Sequence, residues 1–76
     1  MKVVQVLGTG CAKCEATAKL IEEVARSKGA EIRIEKVTEI AEIVGMGVLS
    51  TPGVAIDGKV VHSGGLPDRA AVEKWL

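Results

Sequence analysis

The chain opens with a short, almost continuous apolar run at positions 3–7 that is rich in β-branched residues and is followed closely by a long helical pattern. Such a run is typical of a central strand that is covered on both faces. The segment Gly8-Thr9-Gly10 interrupts it, and the helical pattern starts at Cys11. A covered strand joined so closely to a helix requires a sheet with helices packed against it, and the later elements decide the topology.

The helical pattern has one apolar side, formed by residues spaced three and four apart: Thr17, Leu20, Ile21, Val24 and Ala25. The charged residues Glu22, Glu23, Arg26 and Lys28 fall elsewhere, which indicates an amphipathic helix. We expect this helix to end at Gly29, because glycine is the usual residue just past a helix C-terminus.

Residues 31–37 alternate between apolar and charged side chains, with Ile32 and Ile34 on one face. This pattern predicts a half-buried strand, and its charges suit an exposed edge of the sheet. Thr38 can then cap a short helix that carries Ile40 and Ile43 and ends within residues 45–47.

The last third of the chain predicts a hairpin followed by a helix. Residues 54–56 and 59–62 are β-rich runs joined by Asp57-Gly58, a strong two-residue hairpin signal. Pro67 suits the first turn of a final helix, whose apolar side would contain Ala71, Val72, Trp75 and Leu76. The predicted order is β-α-β-α-β-β-α, an α/β fold with a four-stranded mixed sheet flanked by helices.

Length and charge limit the possible function classes. A chain of 76 residues is short enough that we expect one domain, residues 1–76, and a monomer. Ten basic residues balance ten acidic ones, and with one Trp and no Phe or Tyr there is no platform for stacking bases, so we expect no nucleic-acid partner.

We also expect no membrane span, because no apolar run approaches about 18 residues. The N-terminal segment lacks a signal-peptide pattern, which predicts a cytoplasmic protein.

The chemistry-bearing feature is the pair Cys11 and Cys14, separated by Ala12 and Lys13. A disulfide across four residues stabilises little, by about 2 kcal/mol, and cytoplasmic proteins seldom use structural disulfides. At a helix start, free backbone N–H groups and the helix dipole would lower the pKa of the Cys11 thiol, and Lys13 could add a positive charge or be a solvated surface lysine. Cys14, one turn further, would be less exposed and would resolve a mixed disulfide.

Spacing alone leaves metal binding and incidental placement open beside redox chemistry. Heavy-metal-associated domains also carry Cys-x-x-Cys between a first strand and a first helix, suited to Cu(I). That family usually has Met where this chain has Thr9, and its order, β-α-β-β-α-β, does not end in a helix. His62 is the only histidine, so the chain lacks four obvious zinc ligands. We expect no metal and no cofactor, with His62 at the surface.

The chain resembles the thioredoxin and glutaredoxin superfamily in Cys11-Ala12-Lys13-Cys14, Thr51-Pro52 and Gly64-Gly65. It is most similar to the small thioredoxin-like proteins often called redox-active disulfide proteins, which run from a strand through G-x-G-C-x-x-C into a helix, with T-P before the hairpin. The resemblance covers nearly the whole chain. It implies a cis Thr51–Pro52 peptide bond that lies against Cys11 and presents Thr51 backbone groups to an extended substrate.

The resemblance also concerns Gly64-Gly65, which is similar to the glutaredoxin segment that lets glutathione approach the backbone. Asp68 falls near the place of that family's helix-capping acid. An ordinary tight turn and a simple helix-start charge are the alternatives for these residues. Two departures are that no Trp precedes Cys11, and that Gln5 takes the place where longer thioredoxins keep a buried acid that assists proton transfer. A different proton route is then needed.

The favoured hypothesis is a thiol–disulfide oxidoreductase in which Cys11 attacks a disulfide of a protein substrate and Cys14 releases the reduced product. A thioredoxin-reductase-like flavoenzyme or glutathione would restore the dithiol. A Cu(I)-binding or Cu(I)-transfer domain using the same two cysteines is the alternative, and a non-catalytic interaction domain whose cysteines never cycle is a third.

Overall fold

Four strands and three helices follow one another in the predicted order within the described part of the chain. The computed structural model describes residues 1–10 and 12–76. The strands are β1 (Lys2–Leu7), β2 (Ile32–Val37), β3 (Gly53–Ile56) and β4 (Lys59–Ser63), and the helices are α1 (Ala12–Lys28), α2 (Ile40–Gly45) and α3 (Arg69–Trp75). The sequence of elements, β-α-β-α-β-β-α, and the α/β class are confirmed.

The sheet is mixed, with the strand order β2-β1-β3-β4. Strand β1 pairs parallel with β2 and antiparallel with β3, and β3 pairs antiparallel with β4. The charged strand β2 is an edge strand, as its alternating pattern predicts. The central position of β1 explains its continuous apolar run, because both of its faces are covered.

Two hydrophobic clusters cover the two faces of the sheet. On one face, residues of β1 and β3 pack with residues of α1 and α3: Val4, Val6, Ala18, Ile21, Val24, Val54 and Val72. On the other face the cluster is smaller and includes one residue of α2: Leu7, Val37, Ile43, Val48 and Ala55. The hydrophobic effect thus fixes the long helix α1 against β1, which places the first turn of α1 beside the C-terminal end of β1.

The hairpin turn between β3 and β4 is formed by Asp57 and Gly58, as predicted. Both have positive φ, 49° and 85°, which is the geometry of a type I′ turn and explains why glycine follows aspartate there. Asp57 also ties the turn to β1, because its N–H donates to the Val3 carbonyl at 2.9 Å and its Oδ1 accepts from the Val3 N–H at 2.9 Å.

Two predicted helix starts are wrong by one or two residues. The N-cap of α2 is Glu39, with no side-chain capping bond, rather than Thr38, because the first helical bond runs from the Ile43 N–H to the Glu39 carbonyl at 3.0 Å. Pro67 lies before α3 and not in its first turn. Asp68 is the N-cap there, and its carboxylate accepts from the Ala71 N–H at 3.0 Å, which starts the helix at Arg69.

Candidate functional site

Cys14 lies in the first turn of α1 and is buried, with 5% of its surface exposed. Its sulfur packs against Gly8, the residue that follows β1. A Cβ atom at position 8 would overlap the Cys14 sulfur and would lie 3.8 Å from the Cβ of Thr51. The absence of a side chain at Gly8 therefore lets the thiol of Cys14 and the segment around Thr51 approach the end of the central strand.

The first turn of α1, with Cys14, forms one wall of this region, and the segment 50–52 forms the second. The Thr51–Pro52 peptide bond is cis, the isomer that the resemblance implies. Pro52 is buried and Thr51 is exposed. The Gly64 N–H donates to the carbonyls of Ser50 and Pro52, both at 3.0 Å, so the residue that follows β4 holds this segment in place near Gly8.

Gly64 and Gly65 both have positive φ, 81° and 75°. A Cβ atom at Gly64 would lie 3.2 Å from the Cβ of Ser50, so glycine permits the close contact there. The Gly65 carbonyl lies 2.9 Å from the His62 Nε2. The His62 ring is half-buried and packs against Trp75 with the ring centroids 5.8 Å apart, so His62 lies at the surface with its ring partly covered.

A small cleft opens between the first turn of α1 and the C-terminal ends of β1 and β2. Its volume is about 60 Å³, and it is lined by Val6, Gly8, Gly10, Cys14, Glu15, Lys36 and Thr38. Lys36 Nζ and Glu15 Oε2 form an ion pair of 3.3 Å, and both side chains are about half exposed, at 53% and 52%. The cleft therefore joins the buried thiol of Cys14 to a charged pair at the surface.

The predicted motif also contains Cys11 and Lys13. Cys11, the predicted nucleophile, lies outside the described residues, and with it the predicted contact between Pro52 and Cys11. Lys13 is exposed, and its carbonyl accepts a hydrogen bond of 2.7 Å from the buried Thr17 hydroxyl. Its influence on the Cys11 thiol stays a prediction.

Gln5 lies on the opposite face of the sheet from Cys14. Its neighbours Val4 and Val6 belong to the cluster that packs against α1, whereas Leu7 belongs to the cluster on the α2 face. Because successive strand residues point to opposite faces, Gln5 shares the face of Leu7. Gln5 is therefore poorly placed to receive a proton from Cys14, and the need for another proton route stays a prediction.

Sequence reasoning missed three residues of this region: Gly8, Glu15 and Lys36. The alternation of side chains along β2 contains a usable signal for Lys36. This lysine lies on the same face as Ile32 and Ile34, where the alternating pattern predicts an apolar residue. Glu15 and Gly8 gave no comparable signal, because an acid in the first turn of a helix and a glycine after a strand are both common.

The described part of the chain contains no group of three or more His, Cys, Asp or Glu side chains placed to hold a metal ion. None of its helices has the length and hydrophobicity that a membrane span needs.

Comparison with known proteins agrees with this architecture. The family model of the thioredoxin domain matches residues 2–76. A thioredoxin of Methanothermobacter thermautotrophicus is 32% identical over 76 residues, which cover all of this chain and 99% of that protein. A thioredoxin of Methanocaldococcus jannaschii is 36% identical over 76 residues, which cover all of this chain and 87% of that protein. Because this family model matches nearly the whole chain and two thioredoxins are more than 30% identical to it over its full length, the chain belongs to the thioredoxin family.

Proposed function

We propose that this protein is a thiol–disulfide oxidoreductase that uses Cys11 as the nucleophile and Cys14 as the resolving cysteine. The observation that carries the proposal is the environment of Cys14, which is buried in the first turn of α1 with its sulfur against Gly8. A buried second thiol three residues after the first is suited to intramolecular attack, and the similarity to two thioredoxins supports redox chemistry at this place.

The reaction is an exchange of disulfide bonds. The Cys11 thiolate attacks one sulfur of a substrate disulfide, the substrate S–S bond breaks, and the first substrate sulfur leaves as a thiolate that takes up a proton. The Cys14 thiolate then attacks Cys11 in the mixed disulfide and expels the second substrate thiolate. The substrate gains two electrons and the protein is left with a Cys11–Cys14 disulfide.

A protein substrate suits the surface around the cis proline. Leu49 is 86% exposed and Leu66 is 51% exposed, and they adjoin the two segments that the Gly64 hydrogen bonds join. Exposed apolar side chains of this kind are typical of surfaces that contact other proteins. In the proposal, the backbone of Thr51 pairs with an extended substrate segment, and Pro52, Gly64 and Gly65 shape the groove that receives it.

The oxidised protein needs a two-electron reductant for another cycle. A thioredoxin-reductase-like flavoenzyme or glutathione would serve, and the cytoplasmic location predicted from the sequence would supply either. Since the Gly64 N–H already donates to Ser50 and Pro52, glutathione would depend on other backbone groups of this loop.

The Cu(I) alternative has no support in the fold or in the relatives. Heavy-metal-associated domains have the element order β-α-β-β-α-β. The observed order differs, because α2 precedes the hairpin and α3 follows it. The interaction-domain alternative predicts that the two cysteines never form an intramolecular disulfide.

Trapping of the mixed disulfide tests the proposal. Reduced Cys14→Ser protein is incubated with a peptide that contains one intramolecular disulfide, and the adduct mass is measured without reductant. We expect a stable one-to-one adduct with Cys14→Ser and none that persists with the unmodified protein, because Cys14 resolves it. Cys11→Ser is the matched control and should form no adduct. An adduct on Cys11→Ser instead, or none on either variant, would contradict the assigned roles.

A further inference from the structure

Lys36 is a charged residue at an inward-facing position of β2. Its side chain shares the sheet face of Ile32 and Ile34, which pack against the cluster under α1 and α3. In the parallel register it stands directly beside the buried Val6. A lysine at such a position keeps its stem along apolar surface and its ammonium group at the water, and the Lys36 side chain is 53% exposed.

Lys36 pairs with Glu15, the residue that follows Cys14 on α1. Lys36 Nζ lies 3.3 Å from both carboxylate oxygens of Glu15, and both side chains line the cleft that Cys14 also lines. A volume of about 60 Å³ exceeds the roughly 10–15 Å³ that one water molecule requires. The cleft therefore has room for one or more waters between Cys14 and the Glu15 carboxylate, both of which belong to its lining.

The chemistry proposed above needs a proton route from Cys14. Cys14 must lose its proton before it can attack the mixed disulfide, and the solvent has little access to a thiol that is 5% exposed. Gln5 carries no acid and shares the sheet face of Leu7, away from Cys14. Among the described residues that line the cleft, only Glu15 and Lys36 carry charge; the others are Val6, Gly8, Gly10, Cys14 and Thr38.

We propose that Glu15, held in place by Lys36, is the proton acceptor for Cys14 in the resolving step, acting through water in the cleft. This inference rests on the proposed function. In the step, the Cys14 S–H bond breaks and its proton passes through water to the Glu15 carboxylate. The Cys14 electron pair forms the bond to Cys11, and the Cys11–substrate bond breaks with its electron pair on the leaving substrate sulfur. Lys36 is a positioning residue, because it acts through Glu15.

A purely electrostatic role of Glu15 predicts the opposite effect of its removal. A carboxylate near a thiol disfavours the thiolate by like-charge repulsion, so its neutralisation by Glu15→Gln would speed resolution if charge alone mattered. If Glu15 accepts the proton, the same variant slows resolution, because general bases typically contribute about a hundredfold or more. The sign of the change therefore separates the two roles.

The test uses a symmetric aromatic disulfide whose thiolate product is coloured, mixed rapidly with an equal amount of reduced protein. Release of the first equivalent of coloured thiolate reports attack by Cys11, and release of the second equivalent reports resolution by Cys14. We expect Glu15→Gln to slow the second phase at least about tenfold and to leave the first nearly unchanged. Glu15→Asp should recover much of the rate, and Lys36→Met should show an intermediate loss. Glu22→Gln, which removes an exposed acid from the same helix, is the matched control and should behave as the unmodified protein.

The outcomes separate this inference from the function on which it rests. An unchanged or faster second phase in Glu15→Gln, with the unmodified protein releasing two equivalents, would overturn the role of Glu15 and leave the oxidoreductase intact. Equal slowing of both phases, or the same slowing in Glu22→Gln, would also overturn it. Release of only one equivalent of coloured thiolate by the unmodified protein would remove the proposed function and this inference with it.

Discussion

The two faces of the sheet are built very differently. One face is covered by α1, which has 17 residues, together with α3. The other is covered by α2, a helix of six residues in which only Ile43 is buried while Ile40 and Val44 are 66% and 52% exposed. The first face is therefore a thick, well-packed layer and the second a thin one.

The difference matters because the candidate site takes one wall from each layer. Cys14 belongs to α1 and is fixed by the larger cluster, whereas the Thr51–Pro52 segment follows α2 and the buried Val48 of the smaller cluster. Gly8, at the end of β1, is where the two walls meet. The thick layer therefore fixes the position of Cys14, whereas the Thr51–Pro52 segment follows a layer with fewer buried side chains.

The largest expected effect is a difference between two core truncations. Ile21→Ala should lower the free energy of unfolding by about 4 kcal/mol and Ile43→Ala by about 2 kcal/mol, within the usual span for such changes. Ile21 has no exposed surface and lies between the long helix and the sheet, whereas the short helix around Ile43 can collapse onto the space left behind. Urea unfolding with an unchanged m value measures both. Equal losses would contradict the comparison of the two layers.

A smaller effect is expected where the two walls meet. Gly8→Ala should cost about 1–3 kcal/mol, the usual penalty for overpacking, because the new methyl group would overlap the Cys14 sulfur. Gly45→Ala is the matched control: a Cβ atom there would meet nothing within 4 Å, and alanine is the better helix former. Thermal unfolding of the two variants measures the difference, and a harmless Gly8→Ala would show that Cys14 is not held against the strand.

The smallest effect concerns the starts of the two short helices. Asp68→Ala should cost about 1 kcal/mol, because the variant loses the capping bond to the Ala71 N–H. Glu39→Ala removes an N-cap side chain that makes no capping bond and should change the free energy of unfolding by less than about 0.5 kcal/mol. Chemical denaturation of the two variants tests the contrast, which would fail if Glu39→Ala were the more destabilising change.

Much of the fold was predictable because its signals are local and agree with one another. The apolar run of β1, the period of α1 up to Gly29 and the Asp57-Gly58 turn each specify one element. The start of α2 was not predictable in the same way. Thr38 is the better capping residue by type, but the structure places it in the wall of the cleft, with Glu39 as the N-cap.

The candidate site was predictable only in part. The spacing of Cys11 and Cys14 and the Thr51-Pro52 pair are visible in the sequence, and the resemblance joins them. The pairing of Glu15 with Lys36 depends on the parallel register of β1 and β2 and on where the first turn of α1 lies above them. The only sign of this long-range contact in the sequence is the charge of Lys36 at a position of β2 where the pattern predicts an apolar residue.

The most direct test of the central claim is the reduction potential of the Cys11 and Cys14 pair, measured by thiol labelling at equilibrium in defined thiol–disulfide buffers. We predict a reversible two-electron transition between roughly −180 and −300 mV, the span of working thiol–disulfide oxidoreductases. The value would also indicate which reductant can drive the cycle. If no intramolecular disulfide forms under any of these buffers, the oxidoreductase proposal is contradicted.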